Sequence, residues 1–583
     1  MSTTNKTVRR SNTFYGTREY YPLANESVGI IDRHECSRRS VPYVSFSYTW
    51  EGEFEGMRVE ASELYAASFG IGAAINCFFS LNNMDAGDGS FGGVSGIDRS
   101  DPGAGGYTYF HGREAYAYDD IETGFELFLD YGASYFEDGK AEAYGIPHEK
   151  DKKVARSMLN KFLNQISPAI HNATKNESIA HDIVTELYET LVVPNRWSPP
   201  SRILNAMPIK FQWIEGTLKE GMNYAHYNRS IRSLDWLHDH GSCSDNVRVG
   251  TSTVPHAGRG AFLVRPVQAG ETILPMPLIH VGNRSWMDMR YSGKDVLEME
   301  EAKSDLKEPS IVHQQMLLNY CFGHAETDIL LCPYGIGNGL VNHAPTSEQV
   351  NARLQWSTRL SLRPEWLDLP PSEWIWNETS GLVLELIATR NLQAGEEILM
   401  DYSSEWDAAW KKHVSEWQPP PDASQYMPVE DILVSLENGD LTMPLKNETL
   451  GGPFENIEEV LCHHFYLVHF GFEASLDDFD AEDLYPCRPL SSYLSPDGMT
   501  VLYNVEVDYR HFDFANSRCK DETQGIFLAV SAQVFDLREK PYSRDQAQPW
   551  SFRHDMRIPD DIFPSAWRTK TSSTLEAPTC INE

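Results

Sequence analysis

Three separated stretches of this 583-residue chain carry residue types from which a binding or transfer site could be built. "AGRGAFLVRPVQAGETILP" reads as a β-hairpin in which Gly258 and Gly260 flank Arg259. Glycine there would let a ligand approach the backbone closely. "GIGNGLVNHAPTSEQVNARLQW" carries Asn342-His343 and then Asn351-Ala352, and "ELIATRNLQAGEEILMDY" ends on Asp401-Tyr402. Singly, each has a plainer reading: a tight turn, a loop, a strand end packed in a core.

The last of these stretches occurs twice. "AYDDIETGFELFLDYG" aligns without a gap to "ATRNLQAGEEILMDYS", so that Ala117 faces Ala388, Gly124 faces Gly395, Glu126 faces Glu397, and Asp130-Tyr131 faces Asp401-Tyr402. Each copy reads as strand, turn, strand.

Taken in chain order, the glycine-flanked hairpin, a variable helical insert, the Asn-His element and the "GEEILMDY" strand resemble the SET-domain methyltransferases. The resemblance implies S-adenosylmethionine as methyl donor and a protein lysine as acceptor. It places Gly258, Arg259 and Gly260 along the cofactor. It assigns Asn342 a hydrogen bond to the cofactor, with His343 supporting through its backbone, and puts Tyr402 where the methyl passes. An aromatic over the adenine is typical of the family; Trp406 is the candidate, with core packing as its other reading. The sequence departs from the family in three places. Its "NHAPTSEQVN" has Ala344 and no Cys where the family has "NHSCxPN", Ser403 follows the tyrosine instead of Gly, and the three-cysteine zinc element is missing. The missing zinc element moves the resemblance toward the subgroup with helical C-terminal regions, which often modifies non-histone proteins. In the first copy, "GIGAAINCFFSLNN" puts Asn76 in the Asn place but Cys77 in the His place, and "ANESVGIIDRHE" stands where the hairpin should be. That copy reads as a degenerate SET-like half, serving as packing or substrate platform.

The chemistry suits these residue types. Methyl transfer from a sulfonium is an in-line displacement in which positioning contributes much of the rate. It needs no covalent enzyme intermediate. The amine must be neutral, although a free Lys has a pKa of about 10.4, and burial beside a cationic sulfonium lowers it. A tyrosine hydroxyl can orient the amine without fixed charge.

The elements that must position these residues follow from the pattern of the chain. The expected fold is α+β: a SET-type β-rich fold of short sheets with a knot-like core, present as tandem copies, plus a helical linker and a mixed α/β C-terminal domain. The boundaries are 14–140 for the degenerate copy, 148–245 for the linker, 250–417 for the SET domain and 427–570 for a C-terminal domain of unknown role. In "KDKKVARSMLNKFLNQIS", Val154, Met158, Phe162 and Ile166, with Leu159 and Leu163, predict one apolar helix face. "ESIAHDIVTELYETLVV" and "HYNRSIRSLDWLHDHG" predict further helices, the latter ending at Gly241. "SIVHQQMLLNYCFGH" predicts a helical insert, "SSEWDAAWKKHVSEW" a closing helix stopped by "QPPPD", and "ENIEEVLCHHFYLVHFG" a helix. His463, His464 and His469 on that last helix have the wrong spacing for a helical metal pair and read as structural or surface. "MTVLYNVEVDY" and "GIFLAVSAQVF" predict an antiparallel sheet.

Composition bounds the partners. There are 84 acidic against 49 basic residues, a net charge of −35. Direct nucleic-acid binding needs clustered Lys/Arg and is disfavoured; a basic protein or peptide substrate fits. Nine Cys without a C-x-C or C-x-x-C pair indicate neither a disulfide framework nor a zinc site, so no metal is expected and a reducing compartment is the easier reading. No apolar run approaches a membrane span and no secretory signal is visible, so the expectation is an intracellular protein, cytoplasmic or nuclear, with no membrane partner. The expected function is protein-lysine N-methylation. Its rivals are a catalytically inactive SET-like module acting as a protein-interaction scaffold, and a peptide-binding scaffold whose function lies in the tail.

Overall fold

The computed structural model describes residues 18–22, 49–51, 64–68, 81–89, 97–106, 113–117, 120–129, 147–192, 201–242, 245–289, 313–335, 337–375, 377, 380–463, 484–496, 498–508, 524–540, 543–545 and 548–568. It is a mixed α+β structure of several small sheets. Two compact units divide it: Met1–Thr13, Ala74–Asp88 and Arg113–Ser242 in one, Phe14–Ala73, Gly89–Gly112 and Cys243–Glu583 in the other.

The first unit is largely helical from residue 149 on. Helix Glu149–Lys161 continues through a π-helical turn, Phe162–Ile166, into helix Ser167–Thr174, and helix Glu177–Val192 follows. Its buried stripe differs from the expected one. Asp151, Ala155, Leu159 and Phe162 are buried, whereas Val154, Met158 and Ile166 are each more than two-fifths exposed. A strict four-residue stride advances beyond a full turn at every step, so it drifts around a 3.6-residue helix. The true stripe alternates steps of four and three. "HYNRSIRSLDWLHDHG" forms two helices, Tyr224–Arg229 and Leu234–His240, because the Ser233 hydroxyl caps a new N-terminus by accepting from the Trp236 N–H at 3.2 Å.

The second unit is built on a six-stranded sheet in the order Ala352–Trp356, Val383–Ala388, Thr272–Val281, Leu330–Pro333, Phe322–Gly323, Met556–Arg557. The first five strands pair antiparallel and the last parallel. Leu274, Met276, Leu278, Leu384 and Leu386 fill the core beneath it, closed by the rings of Trp366, Trp374 and Trp567. Trp567 and the strand Met556–Arg557 fall within the stretch expected to be a separate C-terminal domain; here they return to the core of the 250–417 region.

The expected helical insert is instead a short strand, His313–Gln314, a 3₁₀ turn, Met316–Tyr320, and a second short strand, Phe322–Gly323. Met316, Leu317 and Leu318 are consecutive and all buried, which a one-faced helix does not allow. Beyond it lies a five-stranded antiparallel sheet, Gln524–Ser531, Val501–Asp508, Leu484–Leu494, Ile457–His463, Phe535–Glu539, which contains the two strands expected there. Ile457–His463 was expected to be helical. It is a strand because it is paired on both edges, and a short apolar run does not distinguish the two by period. His463 therefore sits on a strand; His464 and His469 lie outside the described residues.

The cysteines also correct the expectation. Cys321 is disulfide-bonded to Cys332 and Cys462 to Cys487. Cys462 and Cys487 lie on adjacent antiparallel strands, and Cys321 immediately precedes the strand that pairs antiparallel with that of Cys332, so residues irregularly spaced in sequence become neighbours through strand pairing. The cysteine argument for a reducing compartment is thereby removed. Among the described residues no helix is long and apolar enough to cross a membrane, and no cluster of His, Cys, Asp or Glu could hold a metal ion.

Candidate functional site

The chain from Glu397 to Tyr402 organises the site. Leu399–Met400 pairs parallel with Asn342–His343, and the Ala344 N–H donates to the Met400 carbonyl at 2.9 Å. Parallel pairing of two-residue strands is weak alone. A buried amide reinforces it: Asn351 Nδ2 donates to the Glu397 carbonyl and its Oδ1 accepts from the Leu399 N–H, both at 2.8 Å. Tyr402 is then pinned at both backbone ends. Its N–H donates to His343 Nδ1 at 3.0 Å and its carbonyl accepts from the Arg557 N–H at 3.0 Å.

His343 Nδ1 accepts that bond, so its proton resides on Nε2, which faces Asp407 at 3.7 Å. Burial holds its pKa below the ordinary value, against the opposing pull of Asp401 and Asp407. The Tyr402 hydroxyl donates to the Val341 carbonyl. Burial, with a smaller effect from neighbouring Tyr320, raises its pKa strongly, so it is a neutral phenol with oxygen lone pairs available.

The two glycines of the hairpin also meet demands of the fold itself. Gly258 adopts a left-handed φ of 64°. A Cβ on Gly260 would lie 2.1 Å from Glu397 Oε1. Glu397 is buried and accepts from the Ser252 hydroxyl at 2.6 Å, from the Thr253 N–H at 2.7 Å and from the Thr253 hydroxyl. Asn342 Nδ2 adds a contact at 3.2 Å and also donates to the Arg259 carbonyl at 2.8 Å and reaches Ser252 Oγ at 3.1 Å. The hairpin, the Asn-His segment and the repeated strand are thus joined through one carboxylate. Glu397 was visible in the repeat alignment, but no spacing rule assigns a role to a carboxylate that neutral donors satisfy.

Arg259, Asn342, His343, Tyr402 and Trp406 converge on one cavity of about 440 Å³. Gly258 and Gly260 shape the hairpin beside it. Trp406, Trp410 and Phe552 form an aromatic wall, with centroids 5.9 Å apart for the Trp pair and 5.4 and 5.1 Å from each Trp to Phe552. Tyr402 meets Trp406 edge-on at 4.9 Å. Sequence assigns neither Trp410, read there only as part of the closing helix, nor Phe552 to the site; Phe552 lies far along the chain, beyond the reach of any local pattern. A cavity of this size, with an aromatic wall, other apolar lining residues and a few convergent polar groups, suits a small organic ligand.

The first hairpin copy repeats part of this geometry within its own unit. Gly124 and Gly395 share a φ of 86°. Asn83 Nδ2 donates to the Glu126 carbonyl and Asn83 Oδ1 accepts from the Phe128 N–H, both at 2.9 Å. Asn351 makes the same two bonds to the aligned residues Glu397 and Leu399. Here the likeness ends: Glu126 is exposed whereas Glu397 is buried. Asn76, Cys77, Asp130 and Tyr131 lie outside the described residues.

No family model and no curated protein matches the sequence. Among solved structures, the chain is similar to a protein of Plasmodium falciparum named as a candidate histone methyltransferase, at 19% identity over 28% of this chain and 96% of that one, with a TM-score of 0.16. It is also similar to the polycomb repressive complex 2 of Chaetomium thermophilum, at 16% identity over 27% of this chain and 15% of that one, TM-score 0.15. A polycomb repressive complex 2 in an autoinhibited conformation bound to S-adenosylmethionine matches at 16% identity over 32% of this chain and 18% of that one, TM-score 0.17. The chain thus spans less than a fifth of either polycomb chain.

Proposed function

We propose that this protein is an S-adenosylmethionine-dependent protein-lysine N-methyltransferase of the SET type, acting on a basic non-histone protein. Its 250–417 region would be the working domain and its first hairpin copy a degenerate relative. The observation that carries the reading is Tyr402: a neutral, partly buried phenol, pinned at both backbone ends and opening on a cavity with an aromatic wall. The shared Asn83 and Asn351 geometry supports the tandem relationship.

The residues fit the cofactor in kind. Trp406 offers a face to an aromatic base, and the Asn342-His343 and Arg259 segments border the same space. S-adenosylmethionine would supply an activated methyl on a sulfonium. The Tyr402 oxygen, its proton held by the Val341 carbonyl, would accept a hydrogen bond from the acceptor amine and orient the nitrogen lone pair. The apolar walls would favour the neutral amine. For Asn342 this reading favours a positioning role. Its amide hydrogens are engaged within the protein, so it would position the Arg259 carbonyl instead of donating to the cofactor. The same observation favours a second reading, a non-catalytic interaction module.

Calorimetry with S-adenosylmethionine separates the two, since a scaffold need not bind it. Labelled methyl transfer to source-cell extract then tests turnover. Tyr402→Phe should bind the cofactor within a few-fold of the parent and lose turnover by roughly 10²-fold. Full activity in a folded Tyr402→Phe variant would defeat the assignment.

A further inference from the structure

One part of the cavity comes from an unexpected place in the sequence. Residues 97–106, "IDRSDPGAGG", connect the two strands Met84–Gly89 and Arg113–Ala117 that precede the first "DYG". By composition they are a surface turn. In the structure they belong to the second unit, and Gly103 and Gly106 line the cavity beside His256, Tyr402 and Phe552.

The segment has no sheet partner, yet side chains of the second unit hold it along its length. Arg99 is buried; it pairs with Asp422 and, at 2.6 Å, with Asp545, and lies 3.2 Å from the Tyr426 ring centroid. Four of its carbonyls accept side-chain bonds. Trp417 Nε1 donates to Ser100, His413 Nε2 bonds Pro102, Arg553 Nη1 donates to Gly105 and Asn319 Nδ2 donates to Gly106, at 2.7–2.8 Å. Asp101 Oδ2 meets His256 Nδ1 at 2.8 Å, tying the segment to the loop that precedes the glycine hairpin. A surface turn would leave its carbonyls to water; here four donors from three separate places in the chain meet them.

We propose that residues 97–106 are a fixed strap forming one wall of the ligand cavity, and that Gly103 and Gly106 set the cavity's width. A Cβ at Gly103 would lie 2.2 Å from the His256 carbonyl oxygen, so the strap could not seat against that loop. At Gly106 a Cβ would meet only the strap's own Gly103 carbonyl, at 3.0 Å. A side chain there meets less conflict than at Gly103, asking the Gly103 carbonyl to give by a few tenths of an ångström, and it stands at the edge of the ligand space. The strap makes residues 97–106 necessary to a site whose polar side chains all come from the 250–417 region. This rests on the cofactor reading for its ligand, not for its geometry.

The test uses the full chain, S-adenosylmethionine as the probe, and amide hydrogen exchange without ligand. Parent protein should bind the probe. Gly106→Val should weaken binding tenfold or more with the fold retained by circular dichroism, and Gly106→Ala, the gentler step, should weaken it about threefold. Arg99→Ala should speed exchange at 97–106 together with 254–257 and 406–415. A parent that binds while the Gly106 and Arg99 variants bind within twofold of it overturns the strap and leaves the cofactor reading standing. A parent that does not bind overturns the cofactor reading, and exchange then decides the strap. Slow strap amides released by Arg99→Ala support it; strap amides that exchange freely in the parent overturn it.

Discussion

Ser403 shows how much the site asks of single residues. It follows Tyr402 with a φ of 112° and ψ of 161°, a conformation that is essentially glycine's. Its hydroxyl accepts from the Trp406 N–H at 3.3 Å and so caps the helix that carries Trp406 and Trp410. The cap explains why a serine is tolerated there. Glycine would relieve strain of about 1–3 kcal/mol and lose only a few tenths as an N-cap. Ser403→Gly should therefore raise stability by about 1–2 kcal/mol in urea unfolding. A loss of stability would show that the cap outweighs the strain. The position was legible as a departure from a resembled motif; its strained dihedral was not, because side-chain type alone does not report φ.

At the scale of elements, the Asn351 amide replaces a missing stretch of strand. Removing it leaves the buried Glu397 carbonyl and Leu399 N–H without those partners, at about 1–3 kcal/mol each. Asn351→Ala should thus cost about 2–5 kcal/mol, read by chemical denaturation. Asn83→Ala removes the same pair of bonds next to an exposed Glu126, where water can substitute, and should cost less than half as much. Equal losses would mean that the first copy's clamp is as buried as the second's. The helix Ser404–Glu416 was readable from the proline stop after it. The strand Ile457–His463 was not, because its pairing partners lie 20 to 80 residues away.

For the molecule as a whole, pH reports on the core. His280 is buried on strand Thr272–Val281, with Trp366 and Trp374 edge-on at 5.8 and 5.4 Å. Burial lowers its pKa to about 4, against the opposing effect of bonds to the Ile375 and Asn377 backbone. The unfolded chain then binds one more proton than the folded chain between the two pKa values. The stability linked to this residue is complete above pH 6.5 and is lost as pH falls towards 4, by roughly 3 kcal/mol. Melting temperature followed from pH 7.5 to 4 should decline with a shallower slope in His280→Gln than in the parent. Parallel curves would place the acid-sensitive group elsewhere.

The sequence by itself determined the parts that are local. The turn at Gly395, the strand ending on Tyr402, the helix after it and the run of convergent polar residues are each encoded within about twenty neighbouring positions, where period and turn chemistry act. Tertiary structure decided everything that depends on which distant segments meet. It joined Cys321 to Cys332 and Cys462 to Cys487 through strand pairing, and buried Glu397 against Gly260. It engaged the Asn342 amide internally, brought Phe552 to the aromatic wall and laid residues 97–106 along the cavity. The physical reason is that a hydrogen bond or a packed ring depends on proximity in space, whereas a sequence pattern records only proximity along the chain.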